Sequence, residues 1–243
     1  MLLDDAEIIQ PDSNTATRLI PLLDLTCLDL NATEKQMITL CEQAKHAAAV
    51  CIYSPFIPLA KNELKNSTTK IATVANFPEG NHSLKQVLKE IDLAIELGAN
   101  EIDIVFPYHD YLSGKKQSAI EFVKACKNAC SHKLLLKIIL ETGALQKPTI
   151  IEEASRDIIK AGADFLKTST GKIEIGATLS AAKIMLEQIK RATAEGIHVG
   201  FKASGGIRTL QQVAGYLYLA DQIMGTDWIT PQTFRFGMSR IPL

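Results

Sequence analysis

A single α/β domain spanning residues 1–243, folded as a (β/α)8 TIM barrel, is what this sequence predicts, and three observations predict it. The length is close to the roughly 250 residues typical of such barrels. A short apolar, β-branched run followed by an amphipathic stretch recurs eight times, with successive runs spaced as βα units are. No proline- or glycine-rich linker, low-complexity tract or shift in composition divides the chain.

The expected strands are Ile20–Thr26, Ala48–Tyr53, Lys70–Phe77, Glu101–Phe106, Lys133–Leu140, Asp164–Ser169 and His198–Ala203, with a short eighth at Thr233–Gly237. Helical patterns lie between them at Thr33–Lys45, Ser83–Leu97, Lys116–Cys130, Thr149–Ala161, Thr178–Ala194 and Leu210–Ala220. Gly98, Gly162 and Gly196 each stand where a helix stops before the next strand, a position that asks for positive φ. An open doubly wound sheet is the alternative. The absence of a G-x-G-x-x-G after the first strand weighs against it.

Composition narrows the function. A formal charge of −1 gives no reason to expect nucleic acid or an anionic membrane as partner. No run approaches the roughly 18 consecutive apolar residues of a membrane span, and Met1-Leu2-Leu3-Asp4-Asp5 lacks the basic start of a secretory leader. The five cysteines do not form a disulfide framework, so a reducing cytoplasm is the economical expectation. His46, His82, His109, His132 and His198 show no metal-binding spacing, and no metal is expected. Cys27, Cys41, Cys126 and Cys130 read as small core residues. Phe77 and Phe106 read as packing at strand ends, and Lys115-Lys116 as a solvated helix start.

Strands of a parallel barrel are covered on both faces and normally read as continuous Val, Ile and Leu. Four of these strands carry an ionisable group instead: Asp103 in the fourth, Lys137 in the fifth, Lys167 in the sixth and Lys202 in the seventh. The bland alternative has each lysine snorkelling outward past a helix. That is a poor account of four such residues on consecutive strands, because burying an unpaired ammonium costs several kcal/mol. Inward-facing residues converge at the C-terminal face of a barrel, where active sites lie. A lysine attacks a carbonyl only when neutral, and both a neighbouring ammonium and a dry environment disfavour its charged form. Two lysines at one barrel mouth therefore point to one nucleophile and one electrostatic activator, with Asp103 keeping the second lysine charged and passing protons.

The loops that follow carry anion-binding chemistry. Lys167-Thr168-Ser169-Thr170-Gly171-Lys172 follows strand six, Gly205-Gly206-Ile207-Arg208 follows strand seven, and Gly237-Met238-Ser239 follows strand eight. Glycines let backbone N–H groups approach an anion, and Lys172 or Arg208 can neutralise it. Barrels often bind phosphate with the loops after strands seven and eight.

Several segments carry a resemblance: Leu23-Asp24-Leu25-Thr26, Ala49-Val50-Cys51-Ile52-Tyr53, Ile71–Pro78, Glu101–Tyr108 and Leu136–Gly143, then most specifically Ala161–Lys172, with Val199–Lys202 and Gly205–Arg208. In this order, from about Leu22 to Gly237, the chain resembles the deoxyribose-phosphate aldolase family. The resemblance implies a class I aldolase without a cofactor. Its reaction is the reversible cleavage of 2-deoxy-D-ribose 5-phosphate to D-glyceraldehyde 3-phosphate and acetaldehyde, in deoxyribonucleotide catabolism. It assigns the Schiff base to Lys167, depression of that lysine's pKa to Lys202, and proton transfer to Asp103. The phosphate falls to Gly171, Lys172, Gly205, Gly206, Arg208, Gly237 and Ser239. Asp24, Thr26, Cys51, Lys137 and Thr170 match residues lining the family's site.

There are departures. Ala203-Ser204 replaces a proline-alanine found in some members, and Arg240 stands where a second serine often follows Ser239. Members usually continue through an eighth helix, and some add a tail with a terminal tyrosine that aids proton transfer. This sequence stops at Leu243, so a truncated or missing last helix is expected, and with it either a homo-oligomeric partner such as a dimer mate covering the outer ring or impaired stability and turnover. Two rivals remain open. One is another Schiff-base barrel, of transaldolase or keto-acid type. The other is a sugar-phosphate-binding barrel that no longer turns its ligand over.

Overall fold

The computed structural model describes residues 9–242, so the start read above for a leader lies outside the described residues. Eight strands close into one parallel barrel in chain order: β1 Leu23–Cys27, β2 Ala49–Ile52, β3 Lys70–Ala75, β4 Glu101–Val105, β5 Leu135–Ile139, β6 Phe165–Lys167, β7 Gly200–Ser204 and β8 Phe234–Met238. The pairing of β8 with β1, Asp24 opposite Gly237, removes both sheet edges.

The main helices lie where the 3.6-residue pattern puts them: α2 Glu34–Gln43, α4 Leu84–Leu97, α6 Lys116–Cys130, α8 Pro148–Lys160, α9 Leu179–Ala194 and α10 Leu210–Met224. The helices α2, α4 and α10 start at capping boxes, Thr33 with Gln36, Ser83 with Gln86 and Thr209 with Gln212, each reciprocally satisfying two otherwise orphaned donors. Gly98, Gly162 and Gly196 all have positive φ, as their helix-stop positions require. Four shorter helices have too few residues to show that pattern: α1 Thr15–Leu19, α3 Ile57–Glu63, α5 Tyr108–Leu112 and α7 Thr142–Leu145. No helix among the described residues is long and apolar enough to cross a membrane.

Most strand ends shift by one to three residues from expectation, and two of the shifts have clear local reasons. Ile20–Leu22 forms a tight helical turn with Pro21 near its start, so β1 begins three residues late, at Leu23. Strand β6 is short because the chain beyond Lys167 turns to other partners: Thr168 Oγ1 donates to the Ser204 carbonyl and accepts from the Ser204 N–H.

The strands do not read as continuously apolar, and the reason is positional. Leu23, Leu25, Ile102, Ile104, Leu136, Ile138, Leu166, Phe201, Phe234 and Phe236 belong to one large core between sheet and helices. The residues alternating with them point the other way, into the barrel. On β2 and β3 these inward positions form a separate small apolar cluster, Ala49, Cys51 and Ala72 with Val74 against it. On β1, β4, β5, β6, β7 and β8 they include Asp24, Glu101, Asp103, Lys137, Lys167, Lys202 and Arg235, all buried. The interior is thus charged along one side and lined by small residues along the other.

Candidate active site

Each buried charge has its partners within the barrel. Arg235 Nη1 donates to Asp24 Oδ1 at 2.6 Å, and Nη2 to Glu101 Oε1 at 3.1 Å. Lys202 Nζ lies 2.5 Å from Asp24 Oδ2 and 2.7 Å from Asp103 Oδ2. Lys137 Nζ lies 2.9 Å from Asp103 Oδ1 and 2.5 Å from Glu101 Oε2. These contacts close a ring in which cation and carboxylate alternate: Arg235, Asp24, Lys202, Asp103, Lys137, Glu101 and back to Arg235. Lys167 is attached to this ring at one point, its Nζ donating to Asp103 Oδ2 at 2.8 Å.

The ring sets the protonation of its members. Burial by itself would raise the pKa of Asp24 and Asp103, but the surrounding cations outweigh it and hold both carboxyls well below the usual carboxylate range. Burial opposes the charge of Lys202, Lys137 and Arg235 too, yet the adjacent carboxylates push all three upward. Lys167 goes the other way. Burial pushes its pKa down, Asp103 only partly offsets this, and the Lys202 ammonium adds to the depression. The result is a buried amine with a weakened hold on its proton beside a lysine with a strengthened one. A neutral amine of this kind can add to a carbonyl.

Above the ring, the same alternation continues one layer toward the C-terminal face. Thr26 follows Asp24 by two residues, Ser204 follows Lys202 by two, and Gly237 follows Arg235 by two. All three line a cleft of about 480 Å³, together with Thr170, Gly171, Lys172, Gly205, Gly206, Arg208 and Ser239. The structure therefore brings every residue expected at the phosphate into one cleft. The backbones there are close. A Cβ on Gly176 would lie 2.4 Å from the Gly205 carbonyl oxygen, so the β6 and β7 loops approach each other through glycine. Lys172 is exposed, with Nζ 3.3 Å from the Leu28 carbonyl, and Arg208 is also exposed. Cys51 lies inside the barrel with its thiol pKa raised by burial, which favours the protonated, less nucleophilic form.

Three participants escaped the sequence reading. Glu101 and Arg235 close the ring, and their signal was parity: Glu101 precedes Asp103 by two residues, and Arg235 interrupts Phe234 and Phe236. The third is Glu141, two residues beyond the end of β5, in the left-handed region at φ 57°. Its buried carboxylate accepts from Thr170 Oγ1 at 2.5 Å, tying the end of β5 to the loop after β6. Burial raises its pKa. Of the bland readings elsewhere, Cys41, Cys126, Cys130 and Phe106 are core, and Lys115 and Lys116 make surface ion pairs with Asp110 and Glu153. Cys27, also expected in the core, is instead half-buried and lines the cleft, because it lies at the end of β1.

A model of the DeoC/LacD family of aldolases matches residues 18–219. The chain belongs to the DeoC/LacD aldolase family. Solved structures agree. A Coccidioides immitis protein assigned as a deoxyribose-phosphate aldolase is 27% identical with a TM-score of 0.79, over 95% of this chain and 84% of that one. A Toxoplasma gondii protein with the same assignment has a TM-score of 0.83 at 24% identity, over 92% and 91% of the two chains. The tetrameric deoxyribose phosphate aldolase of Aeropyrum pernix has a TM-score of 0.74 at 23% identity, over 96% and 92%. At those two lower identities the likeness speaks for the barrel fold.

Proposed function

We propose that this aldolase cleaves 2-deoxy-D-ribose 5-phosphate reversibly to D-glyceraldehyde 3-phosphate and acetaldehyde through a Schiff base on Lys167. The observation that carries the reading is the pairing of Lys167 with Lys202 on one carboxylate oxygen of Asp103, beside a cleft furnished for phosphate. The resemblance of the Coccidioides immitis protein, assigned to this activity, supports the choice of substrate.

In the forward direction the neutral amine of Lys167 adds to the aldehyde carbon C1 of the open-chain sugar, and loss of water gives a protonated imine. The electron pair of the C2–C3 bond moves into that imine as the C3 hydroxyl gives up its proton. Glyceraldehyde 3-phosphate leaves, and an enamine remains on Lys167. Protonation of the enamine at C2 and hydrolysis release acetaldehyde and restore the amine. Asp103, with the charged Lys202 beside it, is the group on hand to move these protons. The phosphate is held by Lys172, Arg208 and the glycine-rich backbone of the three loops. In a cell the activity belongs to the breakdown of deoxyribonucleotides in the cytoplasm, and the chain self-associates, as its tetrameric structural neighbour does.

The test is to incubate the protein with acetaldehyde, reduce with borohydride and locate the adduct by mass, alongside a coupled assay for glyceraldehyde 3-phosphate. Ethylation of Lys167 with turnover of the sugar phosphate is the expected result. Labelled protein with Lys167 unmodified would sink the mechanism, and binding of the sugar phosphate without turnover would favour a barrel that has become a binding protein.

A further inference from the structure

The ring raises a question that the lysine pair alone does not. Among the described residues the one ion pair of Lys167 is with Asp103, yet the structure also buries Arg235 and Glu101, which touch not Asp103 but the ring members Asp24 and Lys137. Neither Arg235 nor Glu101 lines the cleft. Burying such groups is costly unless each is fully paired, so their presence calls for a purpose.

We propose that Arg235 and Glu101 are positioning residues that close the ring of three cations and three carboxylates, and so leave Lys167, among the described residues, the buried amine whose single carboxylate partner is already shared by two other cations. The inference rests on the Schiff-base reading above. Its physical basis is charge balance. Asp24 is shared between Arg235 and Lys202, with Lys137 3.6 Å away, Asp103 between Lys202 and Lys137, and Glu101 between Lys137 and Arg235. Every carboxylate is already neutralised within the ring. A proton on Lys167 would add an unbalanced positive charge to a dry interior, so the neutral amine is favoured.

The surroundings of Lys167 agree. Asp103 on β4 and Lys202 on β7 face it directly, Lys137 on β5 takes the other oxygen of Asp103, and the buried thiol of Cys51 lies nearby on β2. Asp24 on β1 and Arg235 on β8 act one contact further away. The remaining buried acid, Glu141 beyond β5, is turned toward Thr170.

The ring predicts opposite effects from its two outer members. Without Arg235, Glu101 and Asp24 carry charge to spare, Lys137 leans on Glu101, and Asp103 is freed to hold a proton on Lys167. Without the Glu101 carboxylate, Lys137 leans on Asp103, and Lys167 loses its proton more readily.

The experiment measures the rate of Lys167 ethylation by acetaldehyde and cyanoborohydride across pH, by mass, in the wild type, Arg235→Gln, Glu101→Gln, the double variant and Arg235→Lys. The half-maximal pH is expected to move up by about one unit in Arg235→Gln and down in Glu101→Gln. It should return toward the wild type in the double variant and in Arg235→Lys. A structural role alone would lower the labelled fraction without moving the midpoint. If Arg235→Gln does not fold, Glu101→Gln decides: a downward shift supports the proposal, and an unchanged or upward midpoint overturns it. Wild-type protein unlabelled at Lys167 at every pH would instead remove the Schiff-base reading, and this proposal with it.

Discussion

Lys167 and Lys202 stand opposite each other on neighbouring strands, and both amines converge on the same oxygen of Asp103, at 2.8 and 2.7 Å. One carboxylate oxygen cannot neutralise two ammonium groups in a dry interior. The tie is broken by what else each lysine touches. Lys202 has Asp24 as a second carboxylate, 2.5 Å away, while Lys167 has no second one among the described residues. Two chemically identical side chains are thereby pushed in opposite directions, Lys202 toward keeping its proton and Lys167 toward releasing it.

Replacing Lys202 by methionine should therefore do more than remove a contact. With its ammonium gone, Asp103 Oδ2 serves Lys167 alone while Lys137 keeps the other oxygen, and Lys167 holds its proton to higher pH. The acid limb of the pH profile of kcat/KM should move upward, and activity near neutral pH should fall by roughly a hundredfold or more. A pH–rate profile beside the wild type checks this, and an unmoved limb would count against coupling between the lysines.

Asp103→Asn should destabilise the fold as well as stop turnover. It leaves the charged Lys137 and Lys202 each short of a carboxylate and removes the junction where Lys137, Lys167 and Lys202 meet. Breaking buried pairs by deleting one partner typically costs about 3–5 kcal/mol. Urea unfolding should show a loss of that size.

Gly237→Ala should impair both stability and rate. A Cβ there would lie 2.7 Å from Ser204 Oγ and 3.1 Å from Lys202 Cε, inside normal contact distance. Relieving it means moving Ser204 on the cleft wall or displacing Lys202 from the ring. The expected cost is about 1–3 kcal/mol in stability, typical of overpacking, read as a lower Tm. Turnover should fall by a larger factor than that stability loss explains.

Lys172→Ala and Arg208→Ala should act on binding. Each removes an exposed cation from the cleft, and a charge-assisted hydrogen bond is worth about 1.5–3 kcal/mol. KM for the phosphorylated sugar should rise about tenfold or more for each variant. Cleavage of 2-deoxyribose lacking phosphate should be nearly unaffected, so comparison of the two substrates isolates the role.

The pH dependence of stability has a definite sign. Asp24 and Asp103 have folded pKa values below their unfolded ones, although burial alone would raise them, because Lys202, Lys137 and their neighbours outweigh it. Their contribution is complete above the unfolded value of about 4 and is lost as pH falls through the folded values. Lys202 and Lys137 are raised, so theirs is complete below the unfolded value of about 10.4 and is lost only in more alkaline solution. Denaturant midpoints measured across pH should drop steeply below about pH 4 and show no such loss from the ring in the neutral range.

Much of this was legible along the chain. The period-two and period-3.6 patterns specify eight strands with helices between them, and their order leaves a closed barrel as the economical arrangement. Lys137, Lys167 and Lys202 stood out because a charge in an apolar strand needs a partner. Glycines and basic residues after strands six, seven and eight marked the cleft because backbone approach to an anion has few solutions. Boundaries were less legible where a local competitor intervened, as Pro21 does before β1 and Thr168 after β6.

What the sequence by itself determined is which residue types lie on which face of each strand, since alternation is a property of the local backbone. Only the tertiary structure decided who pairs with whom. Arg235 and Asp24 are 211 positions apart and meet because β8 closes on β1. Glu101 meets Arg235 across the barrel, 134 positions away. The protonation of Lys167 depends on how those distant charges are shared. Electrostatic energy in a buried site is set by distances through space, and closure of the barrel fixes them.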